Sequence, residues 1–219
     1  MAVISFVERA YNRLRGRGLR DTAIYSAHVA VAAVLTFFYD LRYGHKICWT
    51  YLGSNKEREG HFGTEHSSYA VLGSVFERIR VSPDDVLVDI GCGEGRVINF
   101  WLSRRLKNSI VGIEASPAVA QDAKRRYRRF PNVTIVEDYA ERVAGEWPNA
   151  IFYLGNPFSE QILAKFELAV RSSNARIVYT DFHGLTPFEN DAWKIEIVRR
   201  NEPHWCQYRC AYIGRRIQN

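Results

Sequence analysis

The chain has 219 residues, a length typical of one domain with an appended segment. Its hydrophobic fraction of 47% and charged fraction of 25% exclude fibrous, disordered and multi-span membrane proteins. Thirty Lys and Arg residues against 24 Asp and Glu residues give a net charge of +6, which favours anionic partners such as nucleic acid, anionic lipid or phosphorylated metabolites.

The N-terminal region contains two predicted helices. Residues 5–20 combine apolar side chains at helical spacing with arginines, a pattern typical of a short amphipathic helix. Residues 22–39 (TAIYSAHVAVAAVLTFFY) contain no formal charge and reach the length of a membrane span. Three placements stay open for this second segment: burial against the domain, contact with a membrane surface, or a true span. Residues 5–42 are therefore a candidate for peripheral membrane contact.

A polar connector separates these helices from the main domain. Residues 43–68 are rich in glycine and charge, which indicates a connector or a lid. We expect an N-terminal helical extension and connector at 1–64 and the main domain at 65–219. A helix over 67–80, with apolar residues on one face, is predicted to open that domain.

The main domain alternates predicted strands and helices. The strands are short runs rich in β-branched and aromatic residues, at 86–90, 110–114, 133–136, 150–154 and 176–180. The helical stretches between them lie at 97–106, 118–129, 139–144 and 161–171. This alternation predicts a parallel sheet covered on both faces. Residues 194–200 and 206–213 are expected to add an antiparallel pair.

A glycine-rich turn follows the first strand. Asp89 stands near the strand end, and glycines follow at 91, 93 and 95. Such a turn lets a ligand approach the backbone at the carboxyl edge of a sheet. A dinucleotide fingerprint needs G-x-G-x-x-G, whereas here the third glycine comes one residue early and Arg96 occupies the last glycine position. The carboxylate of Asp89 also suits a cationic ammonium group better than a phosphate.

The run Asp89-Ile-Gly-Cys-Gly-Glu-Gly-Arg96 after an apolar strand resembles the first motif of the class I S-adenosylmethionine-dependent methyltransferases. The order of elements from Ser67 to Ile213 is similar to that family as well. The resemblance implies a Rossmann-like α/β fold with a mostly parallel sheet of seven strands, a C-terminal antiparallel pair and helices on both faces. It also implies S-adenosyl-L-methionine as the cofactor and S-adenosyl-L-homocysteine as the product.

The resemblance carries roles over to particular residues. Glu114 ends the second strand and is the implied ribose ligand, while Asp138 follows the third strand and would accept from the adenine amine. The residues predicted to bind the cofactor are Asp89, Gly91, Cys92, Gly93, Gly95, Glu114, Ala115, Asp138, Tyr139 and Asn156.

The fourth strand is followed by Asn156-Pro157-Phe158, which resembles the Asn-Pro-aromatic motif of methyltransferases that act on nitrogen. Enzymes of the family that modify nucleic-acid amines have two prolines where this chain has one, so the motif does not fix the acceptor. The predicted catalytic residues are Asn156, Pro157, Phe158, His66 and Tyr69. Further candidates for taking a proton from the acceptor are His61, Asp181 and His183.

The predicted reaction is in-line transfer of a methyl group to a nitrogen or oxygen of a small-molecule or lipid-like acceptor. The aromatic residues between 37 and 51 could wall an apolar pocket, which favours that acceptor class. RNA or protein methylation is the alternative, because the basic run 124–129 could touch phosphates. A non-enzymatic alternative is a pseudo-enzyme that binds the cofactor and acts through its N-terminal helices.

The cysteines indicate neither a disulfide framework nor a metal site. Their four positions lack the spacing of a zinc site, so no metal is expected, and methyl transfer needs none. The absence of a signal-peptide pattern favours a reducing, cytoplasmic location, with membrane association as a further expectation.

Overall fold

The computed structural model describes residues 19–45, 67–201 and 208–215. Almost all of the predicted helix 5–20, most of the connector and the tip between the last two strands lie outside these ranges. The described part begins with helix α1, Leu19–Tyr39, which continues into a π-helical segment, Asp40–Gly44. Within the described residues, no helix is long and apolar enough to cross a membrane.

The described residues form a seven-stranded sheet with the order β3-β2-β1-β4-β5-β7-β6. The strands are β1 Val86–Ile90, β2 Ile110–Glu114, β3 Val133–Glu137, β4 Ala150–Gly155, β5 Arg176–Thr180, β6 Trp193–Arg200 and β7 Tyr208–Arg215. The first five strands pair in parallel, and β7 pairs antiparallel with both β5 and β6. The predicted Rossmann-like sheet with its C-terminal antiparallel pair is therefore confirmed.

Five further helices cover the sheet. They are α2 Tyr69–Phe76, α3 Arg96–Ser103, α4 Pro117–Tyr127, α5 Ala140–Val143 and α6 Glu160–Val170. The Ser68 side chain caps α2 by accepting from the Val71 N–H at 3.2 Å. The predicted helix 67–80 ends early, at Phe76, because Arg78 N and Ile79 N donate to carbonyls only three residues back.

Both faces of the sheet are buried, as expected for parallel strands. On one face, Ile151 and Tyr153 of β4 pack with Leu87 of β1 and with α2, α3 and α4. On the other face, Phe152 and Leu154 pack with α5 and α6. The alternation of side chains along β4 thus fixes which helices lie on each side.

The position of β1 in the strand order defines where a ligand can bind. Strand β1 lies between β2 and β4. Strands β2 and β3 are added on one side of β1, and β4 and β5 on the other, so the strand order reverses at β1. Ligands of open α/β sheets bind in the crevice outside the carboxyl ends of the strands, at this point of reversal. The loops after β1, β2, β3 and β4 all start at that edge.

Candidate active site

The glycine loop after β1 is tied to the end of β2. Gly91 N and Cys92 N both donate to the carbonyl of Ile113, at 2.9 and 3.0 Å, and Gly95 N donates to the Cys92 carbonyl at 2.7 Å. Gly95 has a φ of +83°, and a Cβ there would lie only 2.6 Å from Cε2 of Tyr127. Only glycine fits this backbone, because the Tyr127 side chain packs where a Cβ would lie.

The thiol of Cys92 is buried in the core beneath the glycine loop. A Cβ at Gly112 of β2 would lie 2.8 Å from Cys92 Sγ, so the sulfur packs against that strand. Burial, more than the neighbouring charges of Asp89 and Glu114, raises the pKa of Cys92. The structure therefore offers the Cys92 backbone, and not a thiolate, to the predicted cofactor site.

Asp89 is a buried carboxylate at the carboxyl end of β1. It is 3% exposed, and its Oδ2 atom has no hydrogen-bond partner. Burial, together with the charge of Glu114, raises its pKa to about 8. A buried carboxylate oxygen without a partner is costly, so this position suits a ligand that brings a cationic hydrogen-bond donor.

Glu114 lies at the end of β2, facing the glycine loop. Its Oε2 accepts from Gly93 N at 3.0 Å, and its Oε1 accepts from Ser116 N at 2.8 Å. Ala115 lies between these anchored positions. A carboxylate accepts several hydrogen bonds at once, so this group is of the kind that binds vicinal hydroxyls.

Asp138 and Tyr139 follow β3 at the same edge. The Asp138 Oδ1 accepts from the Tyr139 N–H at 2.7 Å and lies 3.8 Å from Arg142 Nη1. The Arg142 guanidinium stacks over the Tyr139 ring, 4.8 Å from its centroid. This arrangement holds a partly exposed carboxylate beside an aromatic ring, which is compatible with the adenine-binding role predicted for both residues.

Asn156 follows β4 in a left-handed conformation. Its φ is +51°, and its Oδ1 accepts from the Tyr179 hydroxyl at 3.1 Å. A Cβ at Gly91 would lie 3.5 Å from the Cβ of Pro157, so the Asn-Pro turn and the glycine loop face each other. The ring of Phe158, in contrast, is buried in the core beside α6.

Strand β5 ends in the same way as β4. Gly155 pairs with Thr180 in the sheet, so Asn156 and Asp181 follow paired positions. Asp181 also has a left-handed backbone, with a φ of +53°, and its N–H donates to the Arg209 carbonyl at 2.8 Å. Backbones of this kind are rare outside glycine, and their concentration at one edge is typical of functional sites.

Tyr153 links three elements beneath this edge. Its hydroxyl shares hydrogen bonds with Ser67 Oγ at 2.6 Å and Thr180 Oγ1 at 3.0 Å. Burial, with smaller contributions from the charges of Asp89 and Asp181, raises the pKa of Tyr153, so the hydroxyl keeps its proton. The sequence analysis missed this residue because its alternation within β4 is that of an ordinary core position.

Tyr69, predicted as catalytic, binds the N-terminal helix. Its hydroxyl donates to Oδ1 of Asp40 at 2.6 Å, and its ring lies 5.1 Å from that of Tyr39. Asp40 is fully buried and was not singled out by the sequence analysis. The predicted candidates His66 and His61 lie outside the described residues, and His183 is exposed after β5.

Comparison with known proteins agrees with this geometry. Residues 87–154 match the methyltransferase domain family. A protein of Archaeoglobus fulgidus, named a probable cobalt-precorrin-6B C(15)-methyltransferase (decarboxylating), is 36% identical over 94 residues, which cover 42% of this chain and 55% of that protein. The chain thus aligns with about half the length of this curated relative.

Solved structures share the fold at low sequence identity. A geranyl diphosphate methyltransferase, solved with geranyl diphosphate and sinefungin, has a TM-score of 0.54 at 15% identity, covering 68% of this chain and 79% of that one. The methyltransferase domain of the bacterial protein CtHen1 also has a TM-score of 0.54, at 13% identity, covering 68% of this chain and 98% of the other.

The fold is that of the class I methyltransferases, and residues 87–154 match the methyltransferase domain. The described residues suit S-adenosylmethionine: the Oδ2 atom of Asp89, which has no hydrogen-bond partner, suits an ammonium group, and the Glu114 carboxylate at the end of β2 suits ribose hydroxyls.

Proposed function

We propose that this chain transfers a methyl group from S-adenosylmethionine to a nitrogen or oxygen of a small-molecule or lipid-like acceptor. The observation that carries this proposal is the turn after β4, where Asn156 has a left-handed backbone and Pro157 packs opposite Gly91 of the cofactor loop. The cofactor supplies an already activated methyl group on its sulfonium, which leaves positioning as the main task of the protein.

Asn156 is suited to orient the acceptor. The Tyr179 hydroxyl uses one lone pair of Oδ1 and fixes the side chain, which leaves a second lone pair for an N–H or O–H of the acceptor. Burial raises the pKa of Tyr179 to about 12, so it remains a donor at neutral pH. Asn156 would thus present a fixed acceptor atom beside the glycine loop.

Asp181 is the group proposed to receive a proton from the acceptor. It follows the residue that pairs with Gly155, so it stands next to Asn156 along the sheet edge. Its backbone is held by the bond from its N–H to the Arg209 carbonyl, and its side chain is exposed. An exposed carboxylate at this position can exchange protons with solvent between turnovers.

The charges on α4 support a small acceptor over RNA. Asp122 forms ion pairs with Arg125 and Arg126, at 3.0 and 3.2 Å, and Glu137 pairs with Lys124 at 3.2 Å. Three of the five cationic side chains in the run 124–129 thus form ion pairs, and the two carboxylates offset two of its five charges. The run therefore does not form a continuous cationic track of the kind that binds a nucleic-acid backbone.

A carbon acceptor is a second candidate. It is favoured by the relative from Archaeoglobus fulgidus, whose name specifies methylation at C(15) of a cobalt-precorrin together with decarboxylation. A carbon nucleophile would still need the positioning that Asn156 offers, but the new bond would resist hydrolysis under conditions that cleave methyl esters.

The test is a transfer assay with methyl-labelled S-adenosylmethionine and separated lipid, small-metabolite, RNA and protein fractions. We expect label in the lipid or small-metabolite fraction, on nitrogen or oxygen. Asn156→Gly, which keeps the left-handed backbone but removes the side chain, should lose most of the transfer while still binding S-adenosylhomocysteine. Label confined to RNA or protein would contradict the proposed acceptor class. Label on carbon would favour the carbon acceptor. Cofactor binding without methyl transfer to any fraction would support a pseudo-enzyme.

A further inference from the structure

The exposed side of α1 carries large apolar side chains. Residues three, four and seven apart share one face of a helix, and this spacing aligns the exposed residues of α1 and the π-helical segment into one stripe. The stripe consists of Ile24, Val31, Val34, Leu35, Phe37, Phe38 and Leu41. Val34, Phe37 and Phe38 are 66%, 51% and 53% exposed.

The opposite side of the helix contacts the domain. Ala32, Thr36 and Tyr39 are partly buried, Asp40 is fully buried, and the Tyr39 ring packs on Tyr69. A surface helix of a globular protein normally turns its apolar face to the core and its polar face to water. Here the apolar stripe faces outward over a length of about 21 Å between Ile24 and Phe38, which indicates an external apolar partner.

Cationic side chains lie at the C-terminal end of the stripe. Arg129 of the segment after α4 donates to the backbone carbonyls of Arg42 and Tyr43, at 2.7 and 3.0 Å, which brings the basic end of α4 against the π-helical segment. Arg42, Arg128 and Arg129 are all exposed, and no carboxylate among the described residues forms an ion pair with them.

We propose that α1 and the adjoining arginines form a docking surface for an anionic phospholipid bilayer. The apolar stripe would lie in the interface with its side chains among the acyl chains, while Arg42, Arg128 and Arg129 meet the lipid phosphates. Charge complementarity favours the bilayer over a second copy of this chain, because the same surface of a second copy would add further arginines, whereas lipid phosphates supply the opposite charge. This surface goes beyond the proposed function and does not depend on it.

Vesicle flotation of the full chain tests the proposal without any methyl transfer. We expect binding to vesicles of phosphatidylcholine with phosphatidylglycerol, weaker binding to phosphatidylcholine alone, and release by salt from the mixed vesicles. The triple substitution Val34→Ser, Phe37→Ser, Phe38→Ser should lower binding at least about tenfold. The double substitution Arg42→Gln, Arg128→Gln should lower binding to the mixed vesicles about fivefold for each arginine removed. It should leave binding to phosphatidylcholine vesicles unchanged.

Matched controls come from elsewhere on the surface. Leu168 on α6 is 60% exposed, Lys165 on the same helix is exposed as well, and this helix lies on the other side of the sheet from α1. Leu168→Ser and Lys165→Gln should therefore leave flotation unchanged. The proposal is overturned if the full chain fails to float with mixed vesicles at low salt, or if the controls and the stripe variants behave alike. The proposal is also overturned if the full chain does not bind vesicles but self-associates or binds RNA, and the stripe or arginine variants abolish that association.

Discussion

Asp40 and Arg96 form a buried salt bridge between positions 56 residues apart, with Arg96 Nη2 lying 3.2 Å from Asp40 Oδ2. Arg96 directly follows the last glycine of the cofactor loop, and Asp40 begins the segment after α1. Asn99 of α3 lies beside this salt bridge, and its Oδ1 accepts from the Tyr127 hydroxyl. The same hydroxyl donates to the Gly95 carbonyl at 2.9 Å. The N-terminal helix is thereby bonded to the frame that holds the glycine loop.

We predict that breaking this pair destabilises the whole domain. Arg96→Met would leave the buried carboxylate of Asp40 without its cation, and Asp40→Asn would leave the Arg96 guanidinium without its anion. Each change should cost about 3–5 kcal/mol in the free energy of unfolding, and the double variant should cost less than the sum. Urea unfolding of the two single variants and the double variant measures these values.

An exposed ion pair provides the control for this measurement. Arg78 and Glu196 approach to 3.8 Å, but their side chains are 54% and 67% exposed. Arg78→Met should cost less than about 1 kcal/mol because solvent screens the pair. Equal losses for Arg96→Met and Arg78→Met would show that the buried pair does not join the helix to the domain.

Gly95→Ala is predicted to disrupt the glycine loop. The substitution places a Cβ at a φ of +83° and within 2.7 Å of Cζ of Tyr127, so the backbone or the buried tyrosine must move. The strain should cost at least about 1–3 kcal/mol, and affinity for S-adenosylhomocysteine should fall as well. Thermal unfolding and calorimetric titration measure the two effects. Gly214→Ala meets no atom within 4 Å and should change neither, whereas an equal change in both variants would contradict the role of Gly95.

The raised pKa of Asp89 predicts a pH dependence of stability in the ligand-free protein. The folded state holds the Asp89 proton up to about pH 8, whereas the unfolded chain releases it near its ordinary value of 3.8. The native state therefore binds more protons between these two values, and stability contributed by Asp89 falls as pH rises through that window.

Comparison with Asp89→Asn isolates this contribution. The amide does not titrate, so the melting temperature of the variant should fall less steeply between pH 5 and pH 8 than that of the unaltered protein. Parallel profiles of melting temperature against pH would show that Asp89 is already ionised in the ligand-free fold.

The sheet and the turns at its carboxyl edge could be predicted from sequence because their signals are local. The parallel strands are short runs rich in β-branched and aromatic residues, and Gly91, Gly93 and Gly95 mark the turn after the first strand. The carboxyl ends of such strands share one edge, so the proximity of Asp89 to Glu114 follows from the topology. The prediction that the helix ends at residue 80 was wrong, because it ends at Phe76. The residues after Phe76 form hydrogen bonds to carbonyls three residues back, and this tighter turn leaves no mark on the spacing of apolar residues in the sequence.

Long-range pairs could not be predicted in this way. Arg96 was noted as a departure from a glycine pattern, but nothing local indicates that its partner is Asp40. Residues 22–39 likewise form an uncharged segment in the sequence, which does not show which face contacts the domain. The outward direction of its apolar stripe depends on the Asp40 anchor and the Tyr39–Tyr69 contact, which exist only in the folded chain.

Calorimetric titration with S-adenosylhomocysteine tests the central assignment most directly. Asp89→Asn and Glu114→Gln should each weaken binding by about 10- to 100-fold, because each removes a charged hydrogen-bond partner of the ligand. Asp84→Asn, at the opposite edge of the sheet before β1, should bind as the unaltered protein does. Unchanged affinity in both Asp89→Asn and Glu114→Gln, with all variants folded, would contradict a cofactor site at this edge.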